Sequence, residues 1–476
     1  MQEYFHSVTL NRDKCTGCTN CIKRCPTEAI RVRDGKARII KERCIDCGEC
    51  IRVCPHHAKT AVTDPLEAKN AYRYSIAMPA PTLYGQFKNV TDISYILGAI
   101  KKLGFDDVFE TSVGADIVSE YTRKMIQKER RRRPLISSAC PAVVRLIQVR
   151  FPAFTDNIVN LRPPVEVAAM LARQRFVKRA GCKPEDVGVF FISPCPAKMT
   201  ASRNPLGNDT SPISGVISIM DVYGRLSAML QKPGEINPVI PDGLARGVGW
   251  AVSGGECEEV GLDHHLAVDG IFNVIKALEE IENGRLNDLD FFEGLACNGG
   301  CVGGALTFEN SYVAKMRLNG LVEKMLKREE MFAKKPPVLE NEQDIYFSRE
   351  IPPNMVMKLD SDIKSAILKM ERIEQIQKQL PGLDCGSCGA PSCRCMAEDI
   401  VRGFADEMDC IFRLKEKVRY LAQGETAERH EIPVTFEGGI RYTVPASIDP
   451  KLAADDLVLR FRVGGVMKKR VVKLLL

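Results

Sequence analysis

The 476-residue chain has a net charge of +6 and is 45% apolar, enough for several domains and at least one large core. Its basic residues are dispersed, which argues against a nucleic-acid partner, and no run approaches the roughly 20 apolar residues of a membrane span. Nineteen cysteines, after an opening with no secretion-signal core, point to metal ligands in a reducing cytoplasm rather than to disulfides.

Residues 1–65 hold an internal repeat. Cys15, Cys18 and Cys21 precede Cys25-Pro26, and Cys44, Cys47 and Cys50 precede Cys54-Pro55. This is the spacing of a bacterial two-cluster 4Fe-4S ferredoxin, in which each run's fourth cysteine ligates the other cluster. Cys15, Cys18, Cys21 and Cys54 are therefore assigned to one cluster, and Cys44, Cys47, Cys50 and Cys25 to the second. Zinc sites lack the Cys-Pro endings and the crossed repeat. Short strands at 7–10 and 36–40 complete a small α+β unit.

From residue 66 to 335 the pattern alternates between strands and helices. Strands are expected at 74–81, 105–109, 134–136 and 187–192, and helices at 90–102, 115–131, 163–180 and 270–283. An apolar run, 248–252, leads into Ser253-Gly254-Gly255. This alternation predicts an α/β domain with parallel sheets and a site at the strand C-termini. Two of those strands end in Cys-Pro turns, at Cys140-Pro141 and Cys195-Pro196. Cys297 and Cys301 lie one helical turn apart in a glycine-rich stretch that lets the backbone pack close to a bulky group. Four sulfurs from three distant segments suit a further 4Fe-4S cluster.

Residues 336–423 form a third unit. Lys334–Pro337 reads as a linker and 361–380 as a long helix, followed by Cys385, Cys388, Cys393 and, after another helix, Cys410. Four cysteines in a Gly/Pro-rich loop suit a 4Fe-4S cluster, although Cys-x-x-Cys pairs also serve zinc. Cys395 reads as spare. The tail, 424–476, shows four period-two strands at 432–436, 440–444, 457–463 and 471–475. Gly438-Gly439 and Gly464-Gly465 turns divide them, as in a small β module for packing or docking.

Taken together, the central cysteines resemble those of the FeFe hydrogenase family over residues 1 to about 320. Ser137-Ser138-Ala139-Cys140-Pro141 resembles the family's Thr-Ser-Cys-Cys-Pro motif. Ser193-Pro194-Cys195-Pro196-Ala197-Lys198 resembles Met-Pro-Cys-x-x-Lys. The third motif, Glu-x-Met-Ala-Cys-x-Gly-Gly-Cys, aligns with Glu293 to Cys301. The resemblance implies that Cys140, Cys195, Cys297 and Cys301 hold the cubane of an H-cluster. It also implies that Cys301 bridges to a diiron subcluster bearing CO, cyanide and an azadithiolate, and that Lys198 donates a charge-assisted hydrogen bond to a cyanide. The implied activity is reversible hydrogen oxidation and proton reduction, with electrons relayed through the other 4Fe-4S clusters. The implied partners are hydrogen and protons, a redox partner such as ferredoxin or a signalling protein, and separate maturases. A homodimer is an open option. The alternative is a hydrogenase-like iron–sulfur protein without diiron, working in electron transfer or cluster assembly.

The departures from the family pattern are informative. Ala139 stands where the family's proton-relay cysteine stands, Val159 falls where the relay has a serine, and the helix expected at 115–131 offers no glutamate in register. The alanine and the C-terminal iron–sulfur module resemble a branch regarded as sensory or regulatory. Loss of a positioned acid–base group typically costs about 10²–10⁴-fold, which predicts slow turnover or another proton route. Ser193 and Leu295 stand where the family has methionine and should alter the redox properties of the pocket. Glu256, Glu258, Glu259 and Cys257 are candidate replacements for the relay, or ordinary acids favoured at a helix N-terminus. Cys182 and Cys257 otherwise read as inert thiols. None of His56, His57, His264 and His265 has ligand spacing with a cysteine.

Overall fold

The computed structural model describes residues 4–128, 132–332, 339 and 341–423, together with strands at 431–435, 441–445, 456–463 and 466–473. The expected linker at Lys334–Pro337 and both glycine-pair turns of the tail lie outside these residues. The chain divides into two compact units, Met1–Ile30 with Arg38–Lys358, and Arg31–Ala37 with Leu359–Leu476.

The first unit is built on two parallel sheets. One has the strand order Asp107–Val108, Tyr74–Pro79, Val187–Ser193, Gly215–Ser218. The other runs His265–Asp269, Phe291–Leu295, Leu135–Ile136. Val187–Ser193 is buried along its whole length, which explains its unbroken apolar sequence. Alternate side chains enter opposite cores. Ile76, Met78, Val189 and Phe191 pack with the helices Thr111–Lys128 and Pro164–Ala180. Ala77, Phe190 and Ile192 pack with Ile93–Lys101, Ile219–Leu230 and Ser311–Phe332.

Local signals set the helix ends. The Asp92 side chain accepts from Ser94 N at 3.0 Å, starting Ile93–Lys101 three residues after the expected position. Pro164 occupies the first turn of its helix, and Gly181, at φ +62°, closes it. Thr111–Lys128 begins four residues early because the Thr111 hydroxyl anchors to Pro79 O at 3.0 Å. The run at 248–252 is not extended: it overlaps the end of a short helix, Ala245–Gly249. Before the first large sheet, Val8–Leu10 pairs antiparallel with Lys59–Ala61, and Ile30–Arg33 forms a two-stranded sheet with Lys36–Ile39.

The second unit carries the helices Ile363–Gln379, Cys393–Val401 and Ile411–Gln423. Its four tail strands form two antiparallel pairs, Glu431–Thr435 with Arg441–Pro445 and Asp456–Val463 with Val466–Lys473. The last strand begins five residues before its expected start.

Candidate metal centres

In the ferredoxin-like segment, burial pushes the Cys44 and Cys47 thiols well above their ordinary value. After burial, Asp46 is the larger influence on Cys44, while Cys25 acts on both. Cys50 is pushed up to about 12 by burial, against the Lys59 ammonium, and Cys25 again adds to the rise. Cys25, from the first run, thus lies near the three cysteines of the second. Cys21 is raised by burial and then by Cys18 and Cys15. At Cys54, burial is outweighed by the N–H groups of Lys59, Ala58 and His56, and the thiol lies below its usual value. Buried thiols that raise one another are sites where bound cations release protons and hold thiolates. Lys59 is 2% exposed, and its Nζ has no hydrogen-bond partner among the described residues. It acts on Cys21, Cys50 and Cys54, ligands assigned to both clusters.

The C-terminal ends of both large sheets open on one cavity. Cys140 follows Leu135–Ile136, Cys195 follows Val187–Ser193, and Cys297 follows Phe291–Leu295. All three line the cavity, as do Cys301, Ala139, Lys198 and Leu295. Gly300, at φ +97°, makes the turn between the last two cysteines; a side chain there would strike the backbone at 251–253. Cys195 is pushed up to about 12 by burial and then by Cys297 and Cys140, partly offset by Lys198. Burial, followed by Cys297 and Cys140, also raises Cys301. Lys198 Nζ donates to Ala139 O at 2.7 Å. Ser193 is fully buried, and its hydroxyl accepts from Cys195 N at 3.1 Å, bracing the ligand turn. Two hydroxyls of the lining residues Thr82 and Ser112 are buried without a partner among the described residues. Four converging thiols and spare buried hydroxyls fit a large anionic inorganic group.

The ferredoxin-like segment reaches this cavity directly. Cys47 is part of the wall, and a Cβ on Gly48 would come within 2.5 Å of the Ala305 side chain. Arg52 Nη2 donates to Gly303 O at 2.7 Å, and its guanidinium pairs with Glu49 and hydrogen-bonds Cys297.

A chain of buried carboxyls leaves the cavity. Ser137 Oγ donates to Glu256 Oε2 at 2.6 Å and accepts from Ala139 N at 3.2 Å. Glu256 and Glu293 both line the wall. Glu256 is raised well above the carboxylate range by burial and then by Glu293. Glu293 accepts from Gly254 N at 2.9 Å and Cys257 N at 3.0 Å, and is itself raised by burial. Cys257 is a buried thiol, raised by burial and then by Glu293 and Glu256, so it stays neutral. Farther in, Trp250 Nε1 donates to Glu259 at 2.6 Å. Asp116 Oδ1 lacks an N–H or O–H donor among the described residues and lies against the Glu259 carboxyl. Burial and Glu259 push Asp116 up to about 9. Beyond Asp116, Glu110 accepts from Asp242 N at 2.6 Å. Glu258 is exposed and stands outside the chain.

In the second unit, Cys385, Cys388, Cys393 and Cys410 line one small cavity of about 310 Å³. Cys395 points into the core instead, 1% exposed. Of the remaining candidates, Cys182 is half-buried and packs beside an apolar core. His6, Cys44 and Asp46 bring ligand atoms within 4.8 Å of one another. Asp46 is already satisfied by Val8 N and His6 Nδ1, so the trio reads as a brace for the first strand.

Residues 73–262 and 256–305 match the family model described as the C-terminal domain of the iron-only hydrogenase large subunit. The chain belongs to the iron-only, or FeFe, hydrogenase family. A 4Fe-4S dicluster model covers residues 7–55, and an Fe-S cluster model covers 380–412. The hydrogenase-family chain is thus also an iron–sulfur protein. It is similar to the periplasmic [Fe] hydrogenase large subunit of Nitratidesulfovibrio vulgaris, at 26% identity over 63% of this chain and 86% of that one. It is similar to iron hydrogenase 1 of Clostridium pasteurianum, at 22% identity over 64% of this chain and 65% of that one, just under two thirds. Among solved structures, a variant of [FeFe]-hydrogenase HydA1 from Chlamydomonas reinhardtii is similar at 15% identity and a TM-score of 0.44, covering 60% of this chain and 95% of that one. No described helix is long and apolar enough to cross a membrane.

Sequence reasoning named Glu256, Glu259 and Cys257 but missed Asp116, Glu110, Arg52 and Lys59. Glu293 stood in the quoted motif without a role. Its acidic side chain beside a ligand cysteine run was the available signal.

Proposed function

We propose that this chain is a hydrogenase of low turnover, catalysing 2H⁺ + 2e⁻ ⇌ H₂ in a sensory or regulatory setting. The observation that carries this reading is the convergence of Cys140, Cys195, Cys297, Cys301 and Lys198 on one buried cavity walled by Cys47. Cys140, Cys195, Cys297 and Cys301 would hold the cubane of an H-cluster, and Cys301 would also meet its diiron part. That group, when bound, supplies the splitting and formation of hydrogen and stores electrons.

The chain's own residues supply the rest. Lys198 sets a cation at the wall, where a cyanide acceptor would take its hydrogen bond. Ala139 offers only a methyl and cannot carry a proton. Ser137, hydrogen-bonded to both the Ala139 amide and Glu256, leads instead to a carboxyl that burial keeps protonated near neutrality. Glu256, Glu293, Glu259, Asp116 and Glu110 are read as the route by which protons leave, ending beside half-buried Asp242. Electrons would reach the cavity past Cys47 and Arg52, from a ferredoxin-like domain of residues 1–65. The units 336–423 and 424–476 would carry a further 4Fe-4S cluster and a docking module for a signalling partner. The abundant thiols suit a reducing cytoplasm.

The test is an infrared spectrum of protein produced anaerobically with the hydrogenase maturases. Sharp CO and cyanide bands that shift under hydrogen are expected. Absence of those bands in a chain whose cubanes are complete by iron analysis would replace this reading with an electron-transfer or cluster-assembly protein.

A further inference from the structure

The C-terminal cysteine cavity is framed by two carbonyls and one carboxylate that receive donors from the far N-terminal end of the chain. Residues Arg31–Ala37 belong to the same compact unit as Leu359–Leu476. Val32 N donates to Gly389 O at 2.8 Å, and Arg33 Nη1 donates to Cys388 O at 2.7 Å. Arg31 grips Asp399 with two hydrogen bonds, at 2.6 and 3.0 Å, and Arg33 Nη2 reaches the same carboxylate at 3.1 Å. Arg31 is 6% and Asp399 5% exposed. Asp399 lies on Cys393–Val401, the helix that begins with a cavity cysteine. Gly389, at φ +78°, has no room for a side chain against the Val32 carbonyl.

We propose that the C-terminal iron–sulfur site is composite: Arg31, Val32 and Arg33 complete it, and Arg33 is its positioning and charge-setting residue. This rests on the reading of Cys385, Cys388, Cys393 and Cys410 as cluster ligands. Arg33 thus sets a guanidinium cation on a carbonyl of the cysteine loop, while the Asp384 carboxylate lines the same cavity and accepts from Cys393 N at 2.6 Å. A cluster gains negative charge when it takes up an electron, so the same cation favours its reduced form. The family model for this module spans only 380–412, a stretch that holds neither arginine.

The experiment is an EPR-monitored dithionite titration of the full-length, anaerobically reconstituted chain. Cys385→Ala identifies the C-terminal signal by its loss. If Cys385→Ala removes neither signal nor iron, the four-cysteine reading fails, whatever Arg33 does. Given that signal, Arg33→Gln should lower the reduction equilibrium at least tenfold, a shift of about 59 mV to more negative potential for one electron. Arg33→Lys should recover part of that shift. Asp399→Asn removes the counter-charge and should move the midpoint the opposite way, a sign change that looser packing alone would not produce. Selective loss of the C-terminal cluster in Arg33→Gln would also support the composite site. An unchanged midpoint in both Arg33→Gln and Asp399→Asn would overturn it.

Discussion

Replacing Glu256 by Gln tests the proton route most directly. The carboxyl sits on the cavity wall, 3% exposed, and accepts from Ser137 Oγ at 2.6 Å. A glutamine keeps that acceptor in an isosteric side chain, so the fold should lose at most about 1 kcal/mol, one ordinary hydrogen bond's worth. What disappears is the exchangeable acid. A positioned acid–base group contributes about 10²–10⁴-fold, or roughly 2.7–5.4 kcal/mol of barrier. Hydrogen–deuterium exchange catalysed by matured protein should fall within that range, while the infrared bands and iron content stay at wild-type values. Glu293 also lines the wall, so Glu256→Gln combined with Glu293→Gln should fall further than either alone. Exposed Glu258→Gln should match wild type. The pH profile adds a sign. Glu256 is raised by burial and holds its proton at neutrality, so wild-type exchange should decline as pH rises through that elevated value, and the glutamine variant should lose this dependence. Exchange within threefold of wild type in Glu256→Gln, with intact bands, would refute the route.

Three further outcomes follow from the titratable and charged groups around these sites. Lys59→Met should shift the midpoints of both N-terminal clusters to more negative potential, read by EPR titration, because one ammonium acts on cysteines assigned to each. Arg52→Gln should strip Gly303 and Cys297 of a charged donor, and because Arg52 is exposed the stability loss in denaturant titration should be at most about 1 kcal/mol. Asp116→Asn should change the slope of stability with pH. The folded carboxyl titrates near 9 against an unfolded value near 4, so wild type loses stability as pH rises between them and the asparagine variant should lose less. Thermal melts at pH 5 and pH 8 would show the gap.

The parts legible in the sequence share one physical property: they are local. Three of the four cysteines grouped with Cys15, and three of the four grouped with Cys385, are neighbours in one short stretch of chain, and the unbroken apolar run at Val187–Ser193 reports burial on both faces. The unforeseen parts depend on partners distant in sequence. His265–Asp269 is a half-buried edge strand that opens with an exposed histidine and carries no period-two signal. Gly215–Ser218 is four residues long and is defined by pairing with Phe190–Ser193. Lys59 reads as a surface lysine until the fold encloses it. Asp116 and Glu259 lie far apart in the chain, and only the packing of their helices brings the two carboxyls together. Glu258 shows the converse: its sequence position equals its neighbours', but its helix face points outward.

The contact between Gly48 and Ala305 bears on modular exchange. Electron-carrying domains are commonly treated as interchangeable cables attached to a catalytic head. Here the cable's own loop forms part of the socket, since Cys47 closes the cavity and no side chain fits at position 48 without displacing Ala305. A chimera that grafts a foreign dicluster segment onto residue 66 would therefore have to match the head atom for atom at this seam, or leave the cavity open to water.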